Sequence, residues 1–150
     1  MCTLAIHQSA RPADVCQRAI GRQFDQIELA FNRHGGLLRG DEVALHMRRV
    51  FDQPISQLAR RIVAREVIKI DWQSDMLLPM FQFDPATFAL RPGCGEVMAE
   101  LRDMMDDWDI AHWFATPCPW LRGIHPVDMI ESCWHEVFQA ARAVRFAWRG

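Results

Sequence analysis

The chain has 150 residues, half of them hydrophobic, with eight glycines, eight prolines and a formal net charge of −2. This composition points to a folded globular chain, not a disordered one, and fits one ordinary domain, or two small units sharing a core. No apolar run reaches membrane-spanning length, and Met1–Ala10 lacks a basic start followed by a sustained apolar core, so a cytoplasmic protein with no secretory signal and no membrane partner is the expectation.

The five cysteines (Cys2, Cys16, Cys94, Cys118, Cys133) are odd in number and not closely paired, which points to free thiols that pack as small apolar residues. Charge is unevenly spread. Residues 1–70 carry eleven Lys/Arg against seven Asp/Glu, a balance of +4, whereas residues 71–150 carry six against twelve, a balance of −6. A basic half joined to an acidic half suggests two surfaces with different partners.

Residues 1–11 read as a loose tail. From Pro12 to His34 the apolar positions fit a helix that Gly35-Gly36 ends. Asp41 reads as the N-cap of a helix to about Phe51, stopped by Asp52-Gln53-Pro54. Ile55, Leu58, Ala59, Ile62 and Val63 then form one face of a short helix whose other face shows Gln57, Arg60, Arg61 and Arg65. The period changes to two over Val67–Trp72. Gln73-Ser74-Asp75 can turn the chain and Met76–Phe81 can run back, which predicts a β-hairpin with Pro79 at a free edge or at the strand's end. Phe81 and Phe83 point the same way if that stretch is extended.

The remainder is helical. Val97, Leu101, Met104, Met105 and Trp108 form an apolar stripe, and Asp106, Asp107 and Asp109 interrupt it and cap a second helix. Trp113–Pro126 is a corner rich in tryptophan and proline. Gly123 permits backbone angles that other residues resist, and Pro126 suits a helix start. A short helix near Val127–Cys133 and a last one near Glu136–Phe146 follow. The fold class expected is mainly α with one β-hairpin. Its organisation is a helix-turn-helix-like region over 1–84 and a helical, partner-binding region over 85–150.

The residues that could carry chemistry mostly read as surface. The helix pair over 41–65 has the outline of a helix-turn-helix, with Gln57, Arg60, Arg61 and Arg65 placed for phosphates or guanine edges. The same pattern also describes the solvated face of an ordinary core helix. His112, Cys118, His125, Cys133 and His135 include both ligand types that zinc prefers, without a Cys-x-x-Cys pair or a repeated knuckle, so no metal is expected. Cys118 has no identifiable orienting acid, and no catalytic residue is assigned. The run Asp103, Asp106, Asp107, Asp109 lacks the glycine and terminal glutamate of a calcium loop, and there is no glycine-rich phosphate loop, so no cofactor is expected.

The aromatic load from Trp108 to Trp148 is heavy for so small a domain, and any ring left exposed marks a partner site. The terminal segment Arg142–Gly150, with three arginines, two aromatics and no acid, is the leading candidate; core packing of Phe146 is the alternative.

Leu78-Pro79-Met80-Phe81-Gln82-Phe83-Asp84, Trp113-Phe114, Pro117 and Leu121-x-Gly123-x-x-Pro126 together resemble the antitoxins of the Xre/MbcA/ParS type. The likeness runs from about Leu37 to Gly150, and the helix over 12–34 is an addition to it. The resemblance implies a non-catalytic protein that binds a toxin, often a RES-domain enzyme that degrades NAD, and blocks its active site. Leu121, Gly123 and Pro126 would shape the toxin-binding fold, and Arg145, Trp148, Arg149 and Gly150 would lie in the blocking segment. Many such proteins also repress their own promoter. Two alternatives stay open: a stand-alone DNA-binding transcription regulator, and a small thiol enzyme centred on Cys118. A homodimer built on the N-terminal helix is compatible with either DNA-binding reading.

Overall fold

Helix α1 (Pro12–Phe31) starts on a proline whose fixed backbone angle suits the first turn. It buries Phe24, Ile27 and Phe31, one face at helical spacing, and runs into a 3-10 turn at Asn32–His34. The computed structural model from which this architecture is drawn describes residues 11–150, so the tail expected over 1–11 lies, but for Arg11, outside the described residues.

Strand β1 (Leu37–Arg39) leads directly into α2 (Gly40–Met47), and α3 (Pro54–Val63) follows. The hairpin consists of β2 (Ile70–Trp72) and β3 (Asp75–Pro79), joined by Gln73-Ser74. Beyond a linker over 80–91 lie α4 (Cys94–Arg102), α5 (Asp107–Phe114), the short α6 (Pro126–Met129) and α7 (Trp134–Arg149). The chain is mainly helical, as its pattern implies, with a small antiparallel sheet.

Four local expectations are corrected. First, the hairpin is not alone. β1 pairs with β3, Leu38 opposite Leu78, giving the strand order β1-β3-β2. β3 is therefore central, and Pro79 is tolerated because it is the strand's last residue. Second, Asp41 is not the N-cap. The extended chain of β1 continues to Arg39, whose backbone N–H donates to the Glu42 carboxylate at 3.3 Å, and Asp41 sits inside the first turn. There the Arg39 side chain holds the Asp41 carboxyl below its usual range. Third, α2 ends at Met47 rather than Phe51. Fourth, Phe81 and Phe83 do not share a side. A 3-10 turn at Met80–Gln82 sends Phe81 into one hydrophobic cluster and Phe83 into the other.

The larger cluster is built by α4, α5, α6 and α7 together with Phe24, Ile27 and Phe31 of α1 and Ile68 and Ile70 beside and within β2. The smaller one gathers Val43, Ala44, Met47, Leu58, Val67, Leu78, Phe83 and Phe88. A boundary at residue 84 therefore does not follow the packing, because α1 belongs with the C-terminal helices. Aromatic stacking locks that arrangement: Trp72 lies between Phe24 at 4.2 Å and Trp108 at 5.9 Å, and Trp108 Nε1 donates to Gln23 Oε1 at 2.9 Å.

The linker is held by polar groups that find partners inside. Gln82 is fully buried; its side chain accepts from Ile68 N–H and donates to the Ile68 and Pro79 carbonyls. Arg91 donates to the Phe81 and Phe83 carbonyls. Asp106 caps α5 as expected, accepting from Asp109 N–H at 2.8 Å.

Candidate partner-binding site

The corner that leads to the site is made by backbone geometry. The Cys118 carbonyl accepts N–H groups from both Leu121 and Gly123, closing a tight turn over a 3-10 segment at Pro119–Leu121. Arg122 and Gly123 both take left-handed angles, with φ of 58° and 80°. Pro126 then opens α6, and Leu121 and Pro126 are buried. The turn leaves Trp120 outside, with 61% of its surface exposed.

Helix α7 passes beside this turn. Val137, Ala140 and Ala141 face the core, packing mainly against α4. At 100° per residue, Phe146 falls opposite that stripe and is 83% exposed. Trp120 and Phe146 line one groove of ≈ 500 Å³ together with Gln139, Arg142 and Ala143. A second hollow continues from Trp120 past Arg122, Ile124 and His135. The result is an apolar and aromatic surface flanked by Arg122 and Arg142, with Glu136 as its one carboxylate.

The residues expected to bind a partner do not all belong to this surface. Arg142 does, and it also lies over the Phe138 ring at 6.0 Å. Trp148 continues the Val137–Ala141–Val144 stripe past the end of the core and is 73% exposed. Arg145 is turned inward, donating to Glu100 at 3.0 Å and Asp103 at 2.8 Å. Arg149 lies 3.7 Å from the same Asp103, and Gly150 ends the helix. Phe146 lies within the expected terminal segment and is exposed rather than packed in the core, whereas Trp120 and Ile124 lie outside that segment. The basic and aromatic character of the segment was readable from the sequence; the meeting of Phe146 with Trp120 was not, because it depends on how the corner folds.

The basic face of α3 is likewise divided. Arg60 and Arg65 are exposed, with Arg65 beyond the helix end at a φ of 56°. Arg61 is half-buried, donates to the Phe88 carbonyl and lies over Phe51 at 5.3 Å. Gln57 is half-buried. On the opposite side Ile55 and Val63 are exposed, so only Leu58 of this helix is fully enclosed.

No family model, curated protein or solved structure matches the chain. The residues considered for chemistry are therefore placed by geometry alone. Cys118 is buried in the larger cluster, His112 bonds Gln26 at 3.2 Å, and His125 faces Asp128 at 3.8 Å. Among the described residues, no group of three or more His, Cys, Asp or Glu side chains is placed to hold a metal ion. Burial pushes the Cys94 thiol up to about 12, so it stays protonated at neutral pH. The acidic run serves packing: Asp103 meets Arg145, Asp106 caps α5, and Asp107 accepts from both Arg102 and Lys69 N–H. Among the described residues, no helix is long and apolar enough to cross a membrane.

Proposed function

We propose that this chain is a non-catalytic binding protein, antitoxin-like in its action, that docks the Trp120–Phe146 surface against a partner enzyme and occludes that enzyme's active site. The observation that carries the reading is the side-by-side exposure of Trp120 and Phe146 over one groove, with Arg122 and Arg142 on its borders. Trp and Arg dominate the energetics of protein interfaces, and two large rings left in water cost solubility unless a partner covers them. The resemblance to Xre/MbcA/ParS-type antitoxins supplies the class of partner, a toxin of which the RES-domain NAD-degrading type is the leading example.

A stand-alone DNA reader draws less support. Arg61, central to the expected reading face, spends its guanidinium on Phe88 and Phe51. Arg60 and Arg65 remain available for a phosphate backbone, so promoter binding is compatible as a second role.

The test pairs the full chain with the product of the neighbouring open reading frame. Wild-type chain should form a stable complex on size-exclusion chromatography and suppress the partner's NAD consumption. Trp120→Ser combined with Phe146→Ser should weaken binding at least tenfold, the loss of about 1.4 kcal/mol or more expected for hot-spot residues. Unchanged affinity in that double variant would remove this surface from the proposal.

A further inference from the structure

The two hydrophobic clusters meet along the Met80–Arg91 linker, and a cleft of ≈ 420 Å³ opens between them. Its floor is apolar: Met80, Phe81, Phe83, Phe88 and Ile130. Its rim is cationic, with Arg33 from the 3-10 turn after α1, Arg49 from the turn that follows α2, and Arg91. The three arginines have different standing. Arg91 is fixed by the Phe81 and Phe83 carbonyls and lies 3.4 Å from Glu131, the one carboxylate lining the cleft. Arg33 and Arg49 are exposed, and among the described residues neither is paired with a carboxylate; Arg49 donates to the His46 carbonyl at 3.4 Å. His34 lines the same cleft and is held by Asp128 at 2.8 Å.

We propose that this cleft is a binding site for a small amphiphilic anion, with an apolar body on the phenylalanine floor and a carboxylate, sulfonate or phosphate head between Arg33 and Arg49. The volume falls in the range of small-molecule sites, about 300–1,000 Å³, and such sites favour the junctions between packing units. The floor offers nothing to a bare inorganic anion beyond what water gives. The rim offers nothing to a neutral hydrocarbon. Two uncompensated guanidiniums beside an apolar floor match a ligand that carries both properties, since a guanidinium binds an oxyanion through paired hydrogen bonds. This site is separate from the Trp120–Phe146 surface and stands whether or not that surface binds a toxin.

Two-dimensional amide NMR on the full chain tests it with two probes, naphthalene-2-sulfonate as the aromatic anion and decanoate as the acyl anion. Saturable shifts at Gly35, Phe83 and Glu131 are expected from at least one, and which probe binds tighter identifies the aromatic or acyl source. Arg33→Ala combined with Arg49→Ala should weaken binding at least tenfold, with amides of α4 and α7 unmoved as the control for folding. Equal affinity in that double variant would overturn the proposal. So would equal binding of neutral naphthalene-2-methanol or of inorganic sulfate, shifts centred on Trp120 and Phe146, or no shift with either probe at 10 mM, roughly the edge of measurable affinity.

Discussion

Substituting Gly93 by alanine should destabilise the protein far more than the same change at Gly123. Both glycines hold left-handed backbone, with φ of 85° and 80°. An L side chain there costs about 1–2 kcal/mol, partly offset by the lower entropy of the unfolded alanine chain, for a net loss of about 1 kcal/mol. The surroundings then separate the two sites. A Cβ at Gly123 meets nothing within 4 Å, whereas a Cβ at Gly93 lies 2.3 Å from Trp134 Cδ2 and 2.4 Å from its Cγ. The indole must swing away, disturbing its edge contact with Phe138 at 6.5 Å and its stacking on His135 at 3.7 Å. Overpacking of this kind adds about 1–3 kcal/mol, so Gly93→Ala should cost about 2–4 kcal/mol in total. Urea unfolding measures both variants as a fall in midpoint at unchanged slope. Placed in a Trp134→Ala background, Gly93→Ala should fall back to about 1 kcal/mol, because every clashing atom from Cγ outward is gone. Equal losses for the two glycines, or no coupling to Trp134, would refute the steric argument.

Other changes test the polar groups that join the elements. Gln82→Leu keeps the volume but leaves the Ile68 N–H without its partner, together with the Ile68 and Pro79 carbonyls. It should cost about 2–4 kcal/mol by thermal or urea unfolding, as unsatisfied buried groups do. Arg145→Ala removes the ties to Glu100 and Asp103 and should cost about 1 kcal/mol, less at high salt, while leaving partner affinity within about twofold. A large loss of affinity with unchanged stability would return Arg145 to the interface. The Asp84 carboxyl is held below its usual range by the backbone N–H groups of Thr87 and Ala86. Its stabilising effect is present above the unfolded value of about 4 and is lost as pH falls through the lower folded value. Asp84→Asn should therefore flatten the acid side of the stability profile, seen by unfolding at pH values from neutral to acid.

Much of the fold was legible because each element carries its own local cause. The 3.6-residue spacing of Ile55, Leu58, Ala59 and Ile62 marked α3, and Gly35 and Pro126 marked an end and a beginning. β1 escaped notice because three residues are too few to show an alternating period, and its partner lies forty positions away in the chain, Leu38 against Leu78. The role of Gln82 was equally hidden, since a glutamine in an extended-looking stretch reads as solvent-facing until Ile68 is known to sit beside it.

The candidate site shows the same division. Composition alone marked Arg142–Gly150 as basic and aromatic but left Phe146 open between core and surface; the buried stripe of α7, known once its packing is known, puts Phe146 opposite it. Only the folded chain brought Trp120 alongside Phe146, turned Arg145 and Arg61 inward and opened the cleft between the two clusters. Those outcomes depend on contacts between segments distant in sequence, whose relative placement is set by which hydrophobic faces pack together, and no local pattern of residues encodes that choice.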